Sequence, residues 1–152
     1  MGFAMPAALQ QELGQILMLV AADFQHRLDA DLASRGISGV RARHRSVFLH
    51  LGRFGPSRSV DLAEAAGIRP QSMMIIVREL EEMGLVVRHP DPADSRAKLV
   101  DFSDQGRHFI VELGLSTQTV WQQYASQLDE QTLTTTIRNL QQLITPSREE
   151  TT

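Results

Sequence analysis

The chain has 152 residues, of which 42% are hydrophobic and 22% are charged, an ordinary balance for one globular domain with its own core. It contains no cysteine, so disulfides, thiolate metal ligands and thiol-based redox sensing are excluded. The sequence holds no continuous apolar run of membrane-spanning length, and its first residues lack the pattern of a secretion signal, which predicts a cytoplasmic location.

The net charge of −3 is unevenly distributed along the chain. Residues 35–107 hold 12 of the 15 basic residues and 9 of the 18 acidic residues, whereas the two flanking segments together hold 3 basic and 9 acidic residues. Contact with nucleic acid depends on where positive charge lies more than on its total. The basic middle therefore favours a nucleic-acid partner, with an arginine-rich soluble surface as the alternative.

The first half of the chain is predicted to form two helices, followed by two more helices that are joined by a short connection. Residues 7–33 carry apolar side chains three and four positions apart, which predicts one long amphipathic helix. A second helix is predicted from Arg41 to Leu51, and Gly52 to Pro56 should break it. Ser59 is placed to cap a third, short helix, and Pro70 suits the first turn of a fourth. The short connection between the third and fourth helices is typical of a helix-turn-helix.

A β-hairpin and two further helices are predicted next. Residues 85–87 and 98–102 suit the two strands of the hairpin, and residues 89–96 its turn. Ser103 is placed to cap a long helix, Asp129 starts the last one and Pro146 ends it. The fold class is therefore mainly α, a winged helix-turn-helix of about six helices plus a two-stranded β-wing.

The fourth helix separates into a buried face and an outward face. On a wheel of 100° per residue, Met73, Ile76, Val77, Leu80 and Met83 cluster on one side. The opposite side and its flanks carry Gln71, Ser72, Met74, Ile75 and Arg78. A glutamine there can make a bidentate contact to adenine, and a serine can bind a base edge or a phosphate. The isoleucine has two open interpretations: packing against a thymine methyl, or a role without DNA, as a contact with another part of the protein or as a tolerated exposed residue.

The hairpin turn carries the second group of candidate residues. Arg96 at a protruding turn can enter a narrow minor groove, and Asp94 is placed to hold its guanidinium; an ordinary solvated turn is the alternative. Three alternating arginines near the start of the second helix, Arg41, Arg43 and Arg45, are open to phosphate contact, a ligand or subunit contact, or a solvated face.

Four segments resemble the multiple-antibiotic-resistance regulator (MarR) family of bacterial transcription factors: Val60–Ile68, Leu80–Val86, Asp91–Val100 and Ser103–Arg107. The resemblance implies a homodimer built by the terminal helices, whose recognition helices meet successive major grooves of a pseudo-palindromic double-stranded operator. It also implies repression that is relieved by a small anionic or aromatic effector bound between the dimer helices and the DNA-binding lobe. The identity of that effector and the operator sequence are left open.

The resemblance assigns roles to segments and residues. It predicts dimerisation helices over residues 7–33 and 103–145, a DNA-binding lobe over residues 38–102 and a disordered tail over residues 146–152. The expected DNA contacts are Arg69, Gln71, Ser72, Met74, Ile75, Arg78, Arg96 and Lys98, with Asp94 supporting the wing. The expected dimer interface comprises Leu9, Leu13, Ile16, Leu133, Ile137, Leu140 and Ile144.

Enzymatic and metal-binding functions find no support in the sequence. The five histidines are scattered without metal-ligand spacing, and neither a phosphate-cradling glycine loop nor a nucleophile elbow is present. We therefore expect no catalytic residue, metal or cofactor. The alternative function is a winged-helix module for ligand or protein binding with weak or no specific DNA binding, which Ile75 and the overall acidity favour and Gln71, Arg96 and Lys98 oppose.

Overall fold

A computed structural model describes the backbone of residues 7–144 and the side chains of residues 12–144. The predicted disordered tail and the side chain of Leu9 lie outside these ranges. The helices are α1 (Ala7–Ser34), α2 (Ala42–Phe54), α3 (Ser59–Ala66), α4 (Pro70–Glu82), α5 (Asp104–Leu128) and α6 (Glu130–Ile144). The strands are β1 (Ser57–Arg58), β2 (Val86–Asp91) and β3 (Asp94–Phe102). The predicted fold class, mainly α with a winged helix-turn-helix, is confirmed.

The second helix extends further than the sequence predicts. Gly52 lies inside α2, and the helix ends at Gly55, whose φ of 77° no side chain adopts easily. The helix thus ends within the predicted Gly52–Pro56 break but later than the predicted end at Leu51, because Gly52 keeps helical angles. At the other end, the backbone N–H of Arg41 donates to Nδ1 of His44 at 3.0 Å, which satisfies one free donor of the first turn.

The third helix is capped one residue earlier than predicted. Arg58 is its N-cap, and the carboxylate of Asp61 accepts a hydrogen bond from the backbone N–H of Arg58 at 3.3 Å. Ser59 is therefore the first helical residue instead of the cap. Gly67 ends the helix in the left-handed conformation at φ 66°.

The wing is a three-stranded antiparallel sheet in the order β1-β3-β2. The hairpin strands are longer than predicted, since Asp91 pairs with Asp94 and leaves only two residues in the turn. Arg96 therefore lies in β3 and not in the turn itself. The third strand, β1, pairs Ser57 with Val100 and was not predicted, because two residues are too few to show an alternating pattern.

The junction between the wing and α5 is tightly built. Ser103 caps α5 as predicted, its Oγ accepting from the N–H of Gly106 at 2.9 Å and donating to the carbonyl of Gly84 at 2.5 Å. A Cβ on Gly106 would lie 1.9 Å from the carbonyl oxygen of Leu85. Only a glycine at this position allows α5 to start against the chain that enters β2.

One core joins the helix-turn-helix to the long helices α1 and α5. Phe48 of α2 is fully buried and lies against Phe109 of α5, with ring centroids 4.7 Å apart. Leu28 and Leu32 of α1 belong to the same buried cluster as Val77 of α4. Within this core, α4 packs mainly against α3, α2 and β2. The predicted division of the chain into functional segments stays a prediction.

Candidate nucleic-acid interface

The recognition helix α4 presents the face that the sequence predicts. Arg69 is its N-cap, and Pro70 occupies the first turn, where the missing N–H is not needed. The buried side consists of Met73, Ile76, Val77 and Leu80. The outward side exposes Arg69, Gln71, Ser72, Met74, Ile75 and Arg78, so all six predicted contacts on this element reach solvent.

Ile75 is the residue for which the sequence leaves two interpretations. Its side chain is 58% exposed, and Met74 beside it is 47% exposed. The structure therefore does not bury Ile75 against another part of the described chain. Packing against a thymine methyl and a tolerated exposed residue both stay open for this position.

Strand β3 carries two basic side chains, Arg96 and Lys98, at exposed positions. Arg96 and Lys98 are two residues apart, so they project from the same face of the strand. The carboxylate of Asp94 accepts from the backbone N–H of Arg96 at 3.0 Å. The expectation that Asp94 holds the guanidinium of Arg96 is wrong: Asp94 supports the backbone of the wing and leaves the guanidinium free.

A buried ion pair that the sequence analysis missed ties the wing to the helix-turn-helix. Nε and Nη2 of Arg58 donate to Oδ2 of Asp91 at 2.8 and 2.5 Å, and the Asp91 side chain is only 8% exposed. Hydrogen bonding from the N–H of Ala93 and from Arg58 holds the pKa of Asp91 below its usual value. The two residues are 33 positions apart in sequence, and no local pattern marks such a pair.

The basic residues on α4 and β3 have no partner in the described chain, in contrast to four arginines elsewhere in the helix-turn-helix and the wing region. Within residues 12–144, the side chains of Arg69, Arg78, Arg96 and Lys98 make no hydrogen bond or ion pair. The carboxylates of Glu79, Asp29, Asp91 and Glu81 bind, in turn, the four arginines Arg43, Arg45, Arg58 and Arg88. Four cations on α4 and the wing are therefore available to an anionic partner.

The three alternating arginines of α2 have three different environments. Arg41 is exposed, Arg43 binds Glu79 with both Nε and Nη2 at 3.1 Å, and Arg45 is 6% exposed. Nη1 of Arg45 donates to Asp29 of α1 at 2.8 Å. A solvated face is thus wrong for Arg45, which braces α2 against α1.

The predicted dimer residues divide between exposed and buried positions. Leu13 and Ile16 of α1 are 49% and 51% exposed, and Ile144 of α6 is 81% exposed. Ile137 is 37% exposed, Leu140 is half-buried, and Leu133 is buried at 8% within the single chain. Four further exposed apolar side chains extend the α1 surface: Leu17, Met18, Leu19 and Val20.

Two clefts of about 240 Å³ each flank the connection between α1 and α2. The first lies between the end of α1 and the start of α2, beside Asp29 and Arg41. The second has a mixed lining, in which Ile37, Val40, Met83 and Phe109 are apolar and Gln105 and His108 are polar. Of these two clefts, the second reaches the end of α4 through Met83 and the start of α5 through Gln105 and His108.

Metal-binding clusters and membrane-spanning helices are both absent from the described part of the chain. No group of three or more histidine and carboxylate side chains there is arranged to hold a metal ion. None of the described helices combines the length and apolarity that crossing a membrane requires.

Comparison with known proteins finds a family model that matches part of the chain and several solved structures with a similar fold. Residues 38–97 match the model of the MarR family. A probable transcriptional regulator from Pseudomonas aeruginosa is 24% identical, with a TM-score of 0.75, and the match covers 90% of this chain and 99% of that one. CouR from Rhodococcus jostii, solved with p-coumaroyl-CoA bound, is 25% identical with a TM-score of 0.73, covering 95% and 100% of the two chains.

A third similar structure contains DNA. A mutant MarR from E. coli in complex with operator DNA is 18% identical, with a TM-score of 0.74, and the match covers 88% of this chain and 94% of that one. At this identity the likeness concerns the fold alone.

Proposed function

We propose that the chain is a transcription regulator of the MarR family, whose model matches residues 38–97, and that it acts as a homodimer that binds a pseudo-palindromic DNA site and represses transcription until a small molecule releases it. The observation that carries the proposal is the set of four unpartnered cations, Arg69, Arg78, Arg96 and Lys98, on α4 and the wing. A domain that leaves four cations unpaired on α4 and β3 is suited to neutralise phosphates.

The geometry of α4 and β3 divides the DNA contacts between the two grooves. In the proposal, the exposed face of α4 enters the major groove, where Gln71 can bind adenine through both atoms of its amide. Arg96 on β3 reaches the adjacent minor groove, whose negative potential increases as the groove narrows. Two such units in a dimer match half-sites about one helical turn, ~10 bp, apart.

Dimerisation is supported by the amount of apolar surface on the terminal helices. Met18, Leu19 and Val20 of α1 are 75%, 61% and 52% exposed in the single chain, and Leu143 of α6 is 67% exposed. A monomer rarely leaves so many neighbouring large apolar side chains in water. Sedimentation at micromolar concentration should give the mass of a dimer, and a monomer would contradict the assembly.

Release by an effector is supported by a buried polar atom on each of α1 and α2. Nη2 of Arg45 and Oε1 of Gln25 are buried without a hydrogen-bond partner in the described chain. Burying such groups unpaired is unfavourable, and a guanidinium suits a carboxylate or another planar anion. CouR, which shares the fold, was solved with p-coumaroyl-CoA, so aromatic acids and their thioesters are the first class to screen for release of this protein from DNA.

The decisive experiment selects the DNA site from a random library and measures its binding over a series of salt concentrations. The expected result is a palindromic consensus and a steep decrease of log K with log salt. No measurable binding at low salt would overturn the proposal and favour the alternative of a ligand-binding or protein-binding module. The exposed apolar pair Met74 and Ile75 would then be the first surface to examine.

A further inference from the structure

A carboxylate on the recognition helix is held by two side chains of α2. Glu79 follows Arg78, one of the four unpartnered cations, directly in sequence. Oε2 of Glu79 accepts from Nε of Arg43 at 3.1 Å and lies 2.7 Å from Nε2 of His44, and Oε1 accepts from Nη2 of Arg43 at 3.1 Å. Three directional contacts thus converge on one side chain of the helix that faces DNA.

His44 extends this connection to the backbone at the start of α2. Its side chain is 1% exposed, and Nδ1 accepts the backbone N–H of Arg41 at 3.0 Å. Because Nδ1 accepts a hydrogen bond and so carries no hydrogen of its own, the ring hydrogen is on Nε2, which donates to Glu79. One buried ring therefore joins the first turn of α2 to the third turn of α4.

The contacts explain how an acidic residue is tolerated on this helix. Hydrogen bonds from Arg43 and His44 hold the pKa of Glu79 below its usual value, so the carboxylate stays ionised. A negative charge near the phosphates of DNA opposes binding by simple Coulomb repulsion. A carboxylate at position 79 therefore needs another function, and its three contacts with Arg43 and His44 indicate a structural one.

We propose that Glu79, held by His44 and Arg43, is a positioning residue that sets the angle at which α4 enters the major groove. The apolar core already holds α2 and α4 together, but van der Waals contacts between aliphatic side chains are not directional, whereas the hydrogen bonds are. The angle decides whether Gln71 and its neighbours reach the base edges, so the three contacts contribute to specific binding more than to folding. This inference rests on the proposed binding of DNA.

Electrostatics and positioning predict opposite results for Glu79→Gln. If only charge mattered, removing a carboxylate from α4 would strengthen DNA binding. Positioning predicts that Glu79→Gln weakens binding to the selected site by about tenfold, as expected for loss of hydrogen bonds to a charged group. The matched control is Glu82→Gln on the same helix, because Glu82 is exposed and has no partner in the described chain. This control should bind as well as the parent or better.

Two variants of His44 distinguish the contribution of its hydrogen bond with Arg41 from that of its hydrogen bond with Glu79. The amide of His44→Asn can still accept from the N–H of Arg41, but it ends one bond short of Glu79. The longer amide of His44→Gln can accept from the N–H of Arg41 and donate to Glu79, as a glutamine does in a capping box. We expect His44→Asn to lose about tenfold in affinity for the selected site and His44→Gln to recover most of it.

The measurements are fluorescence anisotropy on the selected duplex and on a scrambled duplex, together with thermal melting of each variant. A positioning role predicts that binding to the scrambled duplex, which depends on charge, changes by less than about twofold while specific binding falls. Equal loss on both duplexes, in proportion to a lowered melting temperature, overturns the inference in favour of a purely structural role. Unchanged or improved specific binding by Glu79→Gln also overturns it.

Binding by the parent protein distinguishes a failure of the proposed DNA binding from a failure of the positioning role. If the parent binds no DNA, the proposed function fails. If the parent binds and His44→Asn equals it, only the positioning role fails. Long-range ¹H–¹⁵N spectra of the parent should show a neutral ring protonated on Nε2, and the opposite tautomer would contradict the connection between α2 and α4.

Discussion

Removing the charge of Arg96 tests the wing contact most directly. Arg96 is exposed in β3 and has no side-chain partner in the described chain, and Asp94 binds only its backbone N–H. The change Arg96→Ala therefore breaks no contact within the protein, and the melting temperature should stay within experimental error of the parent. Any loss of DNA binding then reports a contact with DNA.

The magnitude follows from counterion release. Each phosphate that a cation neutralises contributes about 0.9 to the slope of log K against log salt, so two wings in a dimer contribute about 1.8. We expect Arg96→Ala to lower the slope by about this amount and to weaken binding on all sequences, because the minor groove carries little sequence information.

Arg88 provides the matched control. It lies on the neighbouring strand β2, and Glu81 binds its Nε and Nη2 at 2.8 and 2.7 Å. Arg88→Ala removes the same formal charge from the same sheet, but this charge is already paired. Anisotropy titrations at four or more salt concentrations measure both slopes. An unchanged slope for Arg96→Ala, or equal changes for the two variants, would refute the assignment of Arg96 to DNA.

Three further predictions concern stability and specificity. Gly106→Ala should lower the free energy of unfolding by about 3 kcal/mol or more, because its Cβ would lie 1.9 Å from the carbonyl oxygen of Leu85; Gly114→Ala, with nothing within 4 Å, should be neutral or slightly stabilising in the same denaturant titration. Gln71→Ala should cost ~1–3 kcal/mol at one base-pair position of the site and little elsewhere, which competition with single-base variants measures. The pKa of Asp91 is lowered by a backbone N–H and an arginine, so its ionised form stabilises the fold at neutral pH and this contribution is lost as the pH falls below about 4. Asp91→Asn should therefore melt below the parent at pH 7 and converge with it in acid.

Local signals in the sequence were sufficient for most of the elements. Proline at the first turn of α4 and serine before α5 act within one helical turn, and the structure has both where the sequence places them. The limits of α2 and the hairpin were less well predicted. Gly52 is compatible with helical angles, and the length of a hairpin depends on pairing between strands, which neighbouring residues do not determine.

For the candidate DNA contacts, too, the sequence predicted local features but not tertiary partners. The wheel of α4 separated buried from exposed residues correctly, because helical periodicity depends only on spacing. The free state of Arg96 and the paired state of Arg43 could not be distinguished, since both are arginines in polar surroundings along the chain. Their partners, or lack of them, depend on which carboxylates the fold brings near.

The sequence by itself determined the winged helix-turn-helix, its basic middle and the outward face of its recognition helix, because composition, capping and periodicity act over a few residues. Only the tertiary structure decided that Arg58 meets Asp91 and that His44 meets Glu79, 33 and 35 positions apart. Such pairs form when helices and strands pack into one core, and the energy of each pair depends on distances that appear only after packing.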